Sequence, residues 1–302
     1  MNTKLKFKSN KLKELLLLTF NLLLLNSFCF AQLPETELFL TEVEIKGNLL
    51  KVEAAKKIST HKGYNNQPCF VNNDKEIYFT SDIESDIKTH ICSYNLSKKE
   101  IKRLSITNTS EYSANMVPGK NEFSVVMVEE DSTQRIWLFD VLKGSNKSCL
   151  SQQTDSVGYY TWLGKDSILY YKLTKPHSLH ALNIKTNQDV WLCDNPTRSF
   201  KKISPTTFFY VIHEEKQNEV YIYDTRIRKA SLFALDNLSA NQDYIWHATL
   251  GLLKSEGTKL FRYSADTKVW VELADFAAFG VKKLTRFAIS TNGKYVALVS
   301  TN

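Results

Sequence analysis

The sequence predicts an all-β protein, a six-bladed β-propeller with four strands in each blade. Two observations carry this prediction. An apolar hexamer typical of a buried strand begins at residues 77, 123, 168, 208, 250 and 295, at intervals of 40 to 46 residues. A second strand-like hexamer follows each of the first five copies after 10 to 14 residues, at 91, 136, 179, 220 and 260. Short strands that repeat at this period are typical of propeller blades.

Two shorter segments complete each unit. One precedes the buried hexamer, as Pro68–Val71 and Tyr160–Leu163 do, and one follows the second hexamer, as Ile101–Leu104 and Val190–Cys193 do. The short offset between the two hexamers fits a hairpin connection. The segments are too short, and too rich in β-branched and aromatic residues, for a helical repeat. Each unit therefore predicts four strands.

The sixth unit lacks its second hexamer, because the sequence ends at Asn302, two residues after Tyr295–Ser300. An unpartnered hexamer, Leu38–Val43, stands near the other end and is followed by the strand-like segment Lys51–Ile58. We expect these N-terminal strands to join the C-terminal blade, which closes the ring and removes two exposed sheet edges. The six units then account for residues 32–302 as a single domain.

Two of the units carry a recognisable turn between strands. The segment GYNNQPCFVNNDKEIYFTSD spans residues 63–82, and FAISTNGKYVAL spans residues 287–298. Asn, Asp and Gly in these turns suit a tight connection with positive φ. Both segments resemble the WD40-like (PD40-type) repeat of TolB-type propellers, in which Ser-Pro-Asp-Gly-Lys leads into a strand of the Ile-Tyr-Phe type. The resemblance implies a six-bladed propeller in the bacterial cell envelope, and it implies no particular partner.

The N-terminus predicts a secretory signal peptide over residues 1–31. Several lysines precede the apolar run Leu15–Leu25, and Cys29 and Ala31 place small residues at the −3 and −1 positions before Gln32. This is the layout of a cleavable signal. A membrane-spanning helix needs about 20 apolar residues, so the run is too short to span. We therefore expect a periplasmic or secreted protein with no integral membrane segment after the signal is removed.

Removal of the signal changes the charge of the chain. Residues 1–31 contain five lysines and one acid, Glu14, so a formal charge of +7 for the whole sequence becomes +3 for the remainder. A nucleic-acid-binding domain is usually more basic and clusters its Lys and Arg residues. The sequence therefore predicts no nucleic-acid partner.

The four cysteines outside the signal show neither a disulfide pattern nor a metal pattern. Cys69 and Cys92 fall on strands separated by a third strand, about 9–10 Å apart, which is too far for a disulfide. Cys149 and Cys193 fall on separate outer strands. No Cys or His spacing typical of zinc is present. The sequence predicts no metal site and no cofactor.

One column of residues is the candidate binding site. Its members precede or begin the innermost strands, and they are Tyr64, Tyr112, Tyr159 and Tyr244, followed three residues later by Gln67, Asn115, Trp162 and His247. If the blades are equivalent, these side chains surround one mouth of the channel and form a polar, aromatic surface for a partner. The alternative is that each tyrosine packs between neighbouring blades and bonds the backbone with its hydroxyl group.

These features favour an exported scaffold that binds a protein or a glycan of the cell envelope, and they provide no set of catalytic residues. The alternative is a propeller enzyme, of the lactonase or lyase type, that holds a metal ion in the channel. Such a site needs converging Glu, Asn and Asp side chains. Asp243 is the one acid near the innermost segments.

Overall fold

Each predicted pair of hexamers forms the two middle strands of an antiparallel sheet in the computed structural model. The structure describes residues 33–46, 49–83, 88–237 and 243–301. Within these residues, 24 strands form six four-stranded sheets. The predicted signal segment, residues 1–31, lies outside the described residues. None of the helices among the described residues is long and apolar enough to cross a membrane.

Five of the blades are each built from four consecutive strands, and the sixth, which closes the ring, combines the first two strands with the last two. The closing blade contains β1 (Thr36–Lys46), β2 (Leu49–Lys57), β23 (Lys283–Ile289) and β24 (Tyr295–Thr301). Blade 1 contains β3 (Asn65–Val71), β4 (Glu76–Ser81), β5 (His90–Asn95) and β6 (Glu100–Arg103). Blade 2 contains β7 (Ser110–Met116), β8 (Glu122–Val128), β9 (Gln134–Asp140) and β10 (Asn146–Cys149).

The other three blades have the same plan. Blade 3 contains β11 (Val157–Gly164), β12 (Ser167–Lys172), β13 (Ser178–Asn183) and β14 (Gln188–Asp194). Blade 4 contains β15 (Pro196–Ser204), β16 (Thr207–His213), β17 (Asn218–Asp224) and β18 (Lys229–Asp236). Blade 5 contains β19 (Tyr244–His247), β20 (Gly251–Glu256), β21 (Lys259–Ser264) and β22 (Val269–Asp275).

The closing blade joins the two ends of the propeller. Its strand order is β2-β1-β24-β23. Strand β1 pairs antiparallel with β24 from Thr36 opposite Thr301 to Glu42 opposite Tyr295. The predicted six-bladed ring, with the N-terminal strands in the C-terminal blade, is therefore confirmed.

The apolar core lies between the blades. The second strand of each blade is buried along most of its length, as in β8, where Phe123 to Met127 are all buried. Such a strand packs against a neighbouring blade on both faces, which explains why these hexamers are mostly apolar rather than alternating. One cluster combines Leu38 and Val299 of the closing blade with Ile77 and Phe79 of blade 1, and each of the other blade interfaces has a similar cluster.

The two turns that carry the family resemblance meet at the interface between blade 1 and the closing blade. Asp74 has positive φ (62°) in the turn between β3 and β4. Its carboxylate accepts hydrogen bonds from the backbone N–H groups of Thr291 (2.9 Å) and Asn292 (3.0 Å) in the turn between β23 and β24. The aspartate of one motif therefore holds the turn of the other.

Candidate functional site

The six innermost strands enclose a cavity of about 230 Å³. Most of its wall comes from the first strand of each sheet, namely β3, β7, β11, β15, β19 and β23. These strands occupy equivalent positions in their blades, so their N-terminal ends lie around the same mouth of the channel. We call this end the channel mouth.

A charged cluster lies at the channel mouth and is formed by three blades. Arg198 is the third residue of β15, Asp243 directly precedes β19, and Arg286 is in the middle of β23. The Nε atom of Arg198 is 3.5 Å from Oδ1 of Asp243. The Arg198 guanidinium also donates to the carbonyl oxygen of Thr285. Two arginines and one aspartate leave the cluster with one net positive charge.

Arg286 is held by an aromatic ring. Its guanidinium carbon lies 4.9 Å from the centre of the Tyr159 ring, a cation–π arrangement. In the described residues, Arg286 makes no ion pair within 4.0 Å. Burial lowers its pKa, but Tyr159 and Asp243 outweigh burial and raise the pKa above its usual value. Burial and the like charge of Arg286 both lower the pKa of Arg198. The two guanidinium groups therefore sit close enough to repel each other.

The Asp243 carboxylate also connects two blades. Its Oδ2 atom accepts a hydrogen bond from the backbone N–H of Phe287, at 3.2 Å, in the next blade. The same pattern recurs where Ser199 Oγ accepts from the backbone N–H of Tyr244, at 3.0 Å. Side chains of one innermost strand thus fix the backbone of the following one. This arrangement holds the charged groups of the mouth in place.

Five of the eight predicted site residues line the cavity, and these are Gln67, Asn115, Tyr159, Tyr244 and His247. The cavity lining does not include Tyr64, Tyr112 or Trp162. Trp162 packs between blades instead, and its Nε1–H donates to Ser124 Oγ at 2.9 Å.

Gln67 makes contacts that link blades 1 and 2. Its Oε1 atom accepts from Thr80 Oγ1 and from the backbone N–H of Ser113, each at 2.8 Å. Both Gln67 and Ser113 have positive φ, at 58° and 56°, where β3 and β7 carry a bulge. Asn115 donates to the carbonyl oxygen of Ser113 at 3.0 Å. These amide side chains therefore support the irregular backbone of the channel wall.

His247 has both ring nitrogens engaged. Nε2 lies 3.2 Å from the carbonyl oxygen of Ser290, and Nδ1 accepts from the backbone N–H groups of Thr249 and Leu250, each at 3.3 Å. Because Nδ1 accepts, the proton belongs on Nε2. The imidazole is thus a connector between blade 5 and the closing blade.

The four tyrosines do not share one register. Tyr112 pairs with Val126 and Tyr159 with Tyr171, which are equivalent positions on the second strands. Tyr244 pairs with Lys254, one position away, and a one-residue shift turns a side chain to the other face of a strand. The Tyr244 hydroxyl accordingly donates to Asp236 Oδ2, at 2.7 Å, between blades 4 and 5.

Tyr64 lies just before β3 and is buried. Its ring meets that of Tyr112 edge-on, with the centres 6.4 Å apart. Burial raises the pKa of the Tyr64 phenol to about 12, although the positive charges of Arg286 and Arg198 oppose the shift. Tyr64 thus belongs to the surroundings of the arginines without lining the cavity.

Arg198, Arg286 and Lys201 are the functional candidates that the sequence reasoning missed. All three line the cavity. The tyrosine column passed over blade 4, where Arg198 stands, and the motif that resembles TolB-type repeats begins at Phe287, one residue after Arg286. Continuing the column through every innermost strand would have found both arginines.

The described residues do not provide a metal site in the channel. No group of three or more His, Cys, Asp or Glu side chains in the described ranges could hold a metal ion. Asp243 bonds Phe287 and pairs with Arg198, and both nitrogens of His247 are engaged. This donor set does not fit the ion that the predicted lactonase or lyase alternative needs.

Several solved structures share this fold. The structure of a putative TolB from Agrobacterium tumefaciens matches with a TM-score of 0.63 and 10% identity, over 89% of this chain and 99% of that one. TolB from Acinetobacter baumannii matches with a TM-score of 0.50 and 17% identity, over 66% of this chain and 51% of that one. An oligogalacturonate lyase in complex with manganese matches with a TM-score of 0.54 and 9% identity, over 82% and 80%.

These identities establish the fold alone. The fold of TolB-type propellers, predicted from the motifs at 63–82 and 287–298, is confirmed. No protein-family model matches the sequence, and no curated protein is similar to it at the threshold applied.

Proposed function

We propose that this protein is an exported scaffold of the cell envelope that binds a protein or a glycan at the channel mouth. The observation that carries the proposal is the cavity of about 230 Å³ into which Tyr159 and the two arginines converge from three blades. Rigid aromatic side chains and arginines provide much of the binding energy at interfaces. TolB proteins share the fold, which is in keeping with a binding role.

The test of the binding site compares capture by the wild type and by an Asn115→Ala/Tyr159→Ala variant. Both side chains line the cavity and are half-buried, so their replacement disturbs the core less than replacement of Tyr64 or Tyr244 does. Partners are captured from envelope extracts with the purified protein and identified by mass spectrometry. We expect the variant to recover about tenfold less of a partner that the wild type enriches.

Trp191→Ala is the matched control, because Trp191 is 57% exposed on the outer strand β14. It should recover the same partners as the wild type. If the double variant and the wild type recover equal amounts, or if only Trp191→Ala loses recovery, the channel mouth is not the binding site.

Export rests on the pattern of residues 1–31 and has a separate test. Cell fractionation and N-terminal sequencing of the recovered protein should find a chain that begins at Gln32 outside the cytoplasm. Retention of residues 1–31 on a cytoplasmic protein would contradict the proposal.

A further inference from the structure

The charges at the channel mouth do not balance. Arg198 faces Asp243, whose carboxylate is 3.5 Å away, while Arg286 has a tyrosine ring as its neighbour and no ion-pair partner in the described residues. Taking a guanidinium group out of water is costly unless an anion accompanies it. The cluster therefore lacks one negative charge.

The positions of the two guanidinium groups are fixed by the fold. Arg198 donates to the Thr285 carbonyl oxygen next to Arg286 in the chain, and Arg286 lies against Tyr159. Both arginines line the same cavity, so a ligand that enters it meets two cations already in place. A site organised in advance loses less entropy when the ligand binds.

We propose that the channel mouth binds a carboxylate group between Arg198 and Arg286, and that this group is an acidic side chain or the C-terminus of a peptide. The inference rests on the proposed binding function and names the chemistry that the site recognises.

Charge and geometry both favour a carboxylate. A carboxylate brings one negative charge, which balances the single net positive charge of Arg198, Asp243 and Arg286. Its two oxygens match the planar fork of a guanidinium group.

A peptide source agrees with the size and lining of the cavity. A volume of about 230 Å³ admits one or two amino-acid residues, and the wall offers apolar and aromatic groups such as Phe200 and Trp246 beside the charges. Lys201, which also lines the cavity, lies on the same innermost strand as Arg198 and adds positive charge further along the channel.

The test measures binding of small probes to the purified protein by calorimetric titration. The probes are N-acetylglutamate and N-acetylglutamine, both as their α-amides, together with galacturonate and inorganic phosphate. As α-amides the first carries a single carboxylate, on the side chain, and the second is its neutral analogue. We expect N-acetylglutamate to bind at least tenfold more tightly than N-acetylglutamine, since a charge-assisted bond is lost in the amide. It should also bind more tightly than galacturonate and phosphate.

Equal affinity for the acid and the amide, or no saturable binding of either, would overturn the proposal. Preference for galacturonate would replace the peptide by a sugar acid, and preference for phosphate would replace the carboxylate itself. Either result contradicts the ligand assigned here.

The matched variants are Arg286→Met, Arg286→Lys and the control Arg226→Met. Arg286→Met should weaken N-acetylglutamate binding at least tenfold, and Arg286→Lys should restore part of it because the charge returns without the fork. Arg226 pairs with Asp224 at an exposed turn after β17, so its replacement should leave binding unchanged.

Thermal unfolding distinguishes a binding role from a structural one. If Arg286 serves the ligand, Arg286→Met should melt at the same or a higher temperature, because a poorly compensated charge is removed. N-acetylglutamate should then raise the melting temperature of the wild type and not that of Arg286→Met. A variant that melts lower and still binds the probe normally would assign Arg286 to stability alone.

Failure of this inference is separable from failure of the proposed function. If the Asn115→Ala/Tyr159→Ala variant loses a captured partner while acid and amide probes bind equally, the scaffold proposal stands and the carboxylate site is wrong. If the acid probe binds through Arg286 but no partner depends on the mouth, the carboxylate site stands and the scaffold proposal is wrong.

Discussion

Two charged clusters lie side by side in this propeller, and adjacent residues contribute to each. Asp243 belongs to the channel mouth, with Arg198 and Arg286, while Tyr244 belongs to a cluster between blades 4 and 5, with Asp236 and Lys254. Successive residues of a strand point to opposite faces, which separates the two clusters. We call the second one the sealed cluster.

Every charge of the sealed cluster has a partner. Lys254 and Asp236 are 2% and 3% exposed, and Lys254 Nζ lies 2.9 Å from Asp236 Oδ1 and 3.2 Å from Glu256 Oε2. The second Asp236 oxygen accepts from the Tyr244 hydroxyl, which accepts in turn from Asn218 at 3.0 Å. At the mouth, by contrast, one of the two cations has no ion pair among the described residues, and the cluster adjoins an open cavity. A carboxylate partner for every cation therefore distinguishes the sealed cluster from the candidate binding site.

The largest expected effect comes from unbalancing the sealed cluster. Asp236→Ala leaves Lys254 buried with only the partly exposed Glu256 opposite, and we expect a loss of about 3–5 kcal/mol in the free energy of unfolding. Denaturant titration measures it. Glu53→Ala, at an exposed pair with Lys51, should cause no measurable change. If both substitutions have equally small effects, the sealed cluster is not structural and the contrast with the mouth disappears.

A smaller loss of unfolding free energy is expected when Asp243 of the channel mouth is replaced. Asp243→Asn keeps an acceptor for the Phe287 N–H but leaves two guanidinium groups unopposed, and should cost about 1–3 kcal/mol of unfolding free energy. Adding Arg286→Met should recover most of this loss, because the repulsion is removed. Additive effects of the two substitutions in denaturant titration would mean that Asp243 does not offset the charge of Arg286.

Phenol hydroxyls provide a finer comparison between the two clusters. Tyr244→Phe removes the hydroxyl that bonds Asp236 and should cost about 1 kcal/mol. Tyr159→Phe keeps the ring that faces Arg286 but removes the hydroxyl that also interacts with it. Because Tyr159 is only half-buried and water is able to replace the hydroxyl, the loss should stay below that of Tyr244→Phe. Both are read from denaturant midpoints. A larger loss in Tyr159→Phe than in Tyr244→Phe would reverse the assignment of the two regions.

Alkaline pH should weaken the fold through its buried tyrosines. The folded pKa of Tyr64 is raised to about 12 by burial, against about 10 in the unfolded chain. The folded state therefore binds more protons above pH 10, and stability falls as the pH rises from 10 to 12. Tyr64→Phe should flatten this fall in unfolding free energy, and an unchanged slope would show that Tyr64 ionises normally.

The sequence predicted the fold well for a physical reason. The second strand of each blade is buried on both faces, so its hexamer is largely apolar and recurs at a regular interval, as at Ile77, Phe123 and Ile168. The closure by β1 followed from counting these hexamers. Packing between blades therefore produces a repeated apolar pattern that is visible in one sequence without an alignment.

The candidate site could be predicted only in part. The tyrosine column includes Tyr159, which lines the cavity, but Tyr244 pairs one position away from the equivalent of Tyr159, so equal spacing did not mean equal position. The contacts of Arg198 and Arg286 depend on strands of different blades brought together by the ring. The distance along the sequence between two such residues does not show that they meet in the fold.

The seam between β1 and β24 also determines the timing of folding. Strand β1 is synthesised before any complete blade, yet its inner neighbour β24 follows all the other strands. Contacts between distant parts of a chain are slow to form, because a long loop must close first. The ring therefore closes only when the C-terminal strands arrive, and until then β1 offers an unpaired edge that a chaperone, or a wrong strand, is able to occupy.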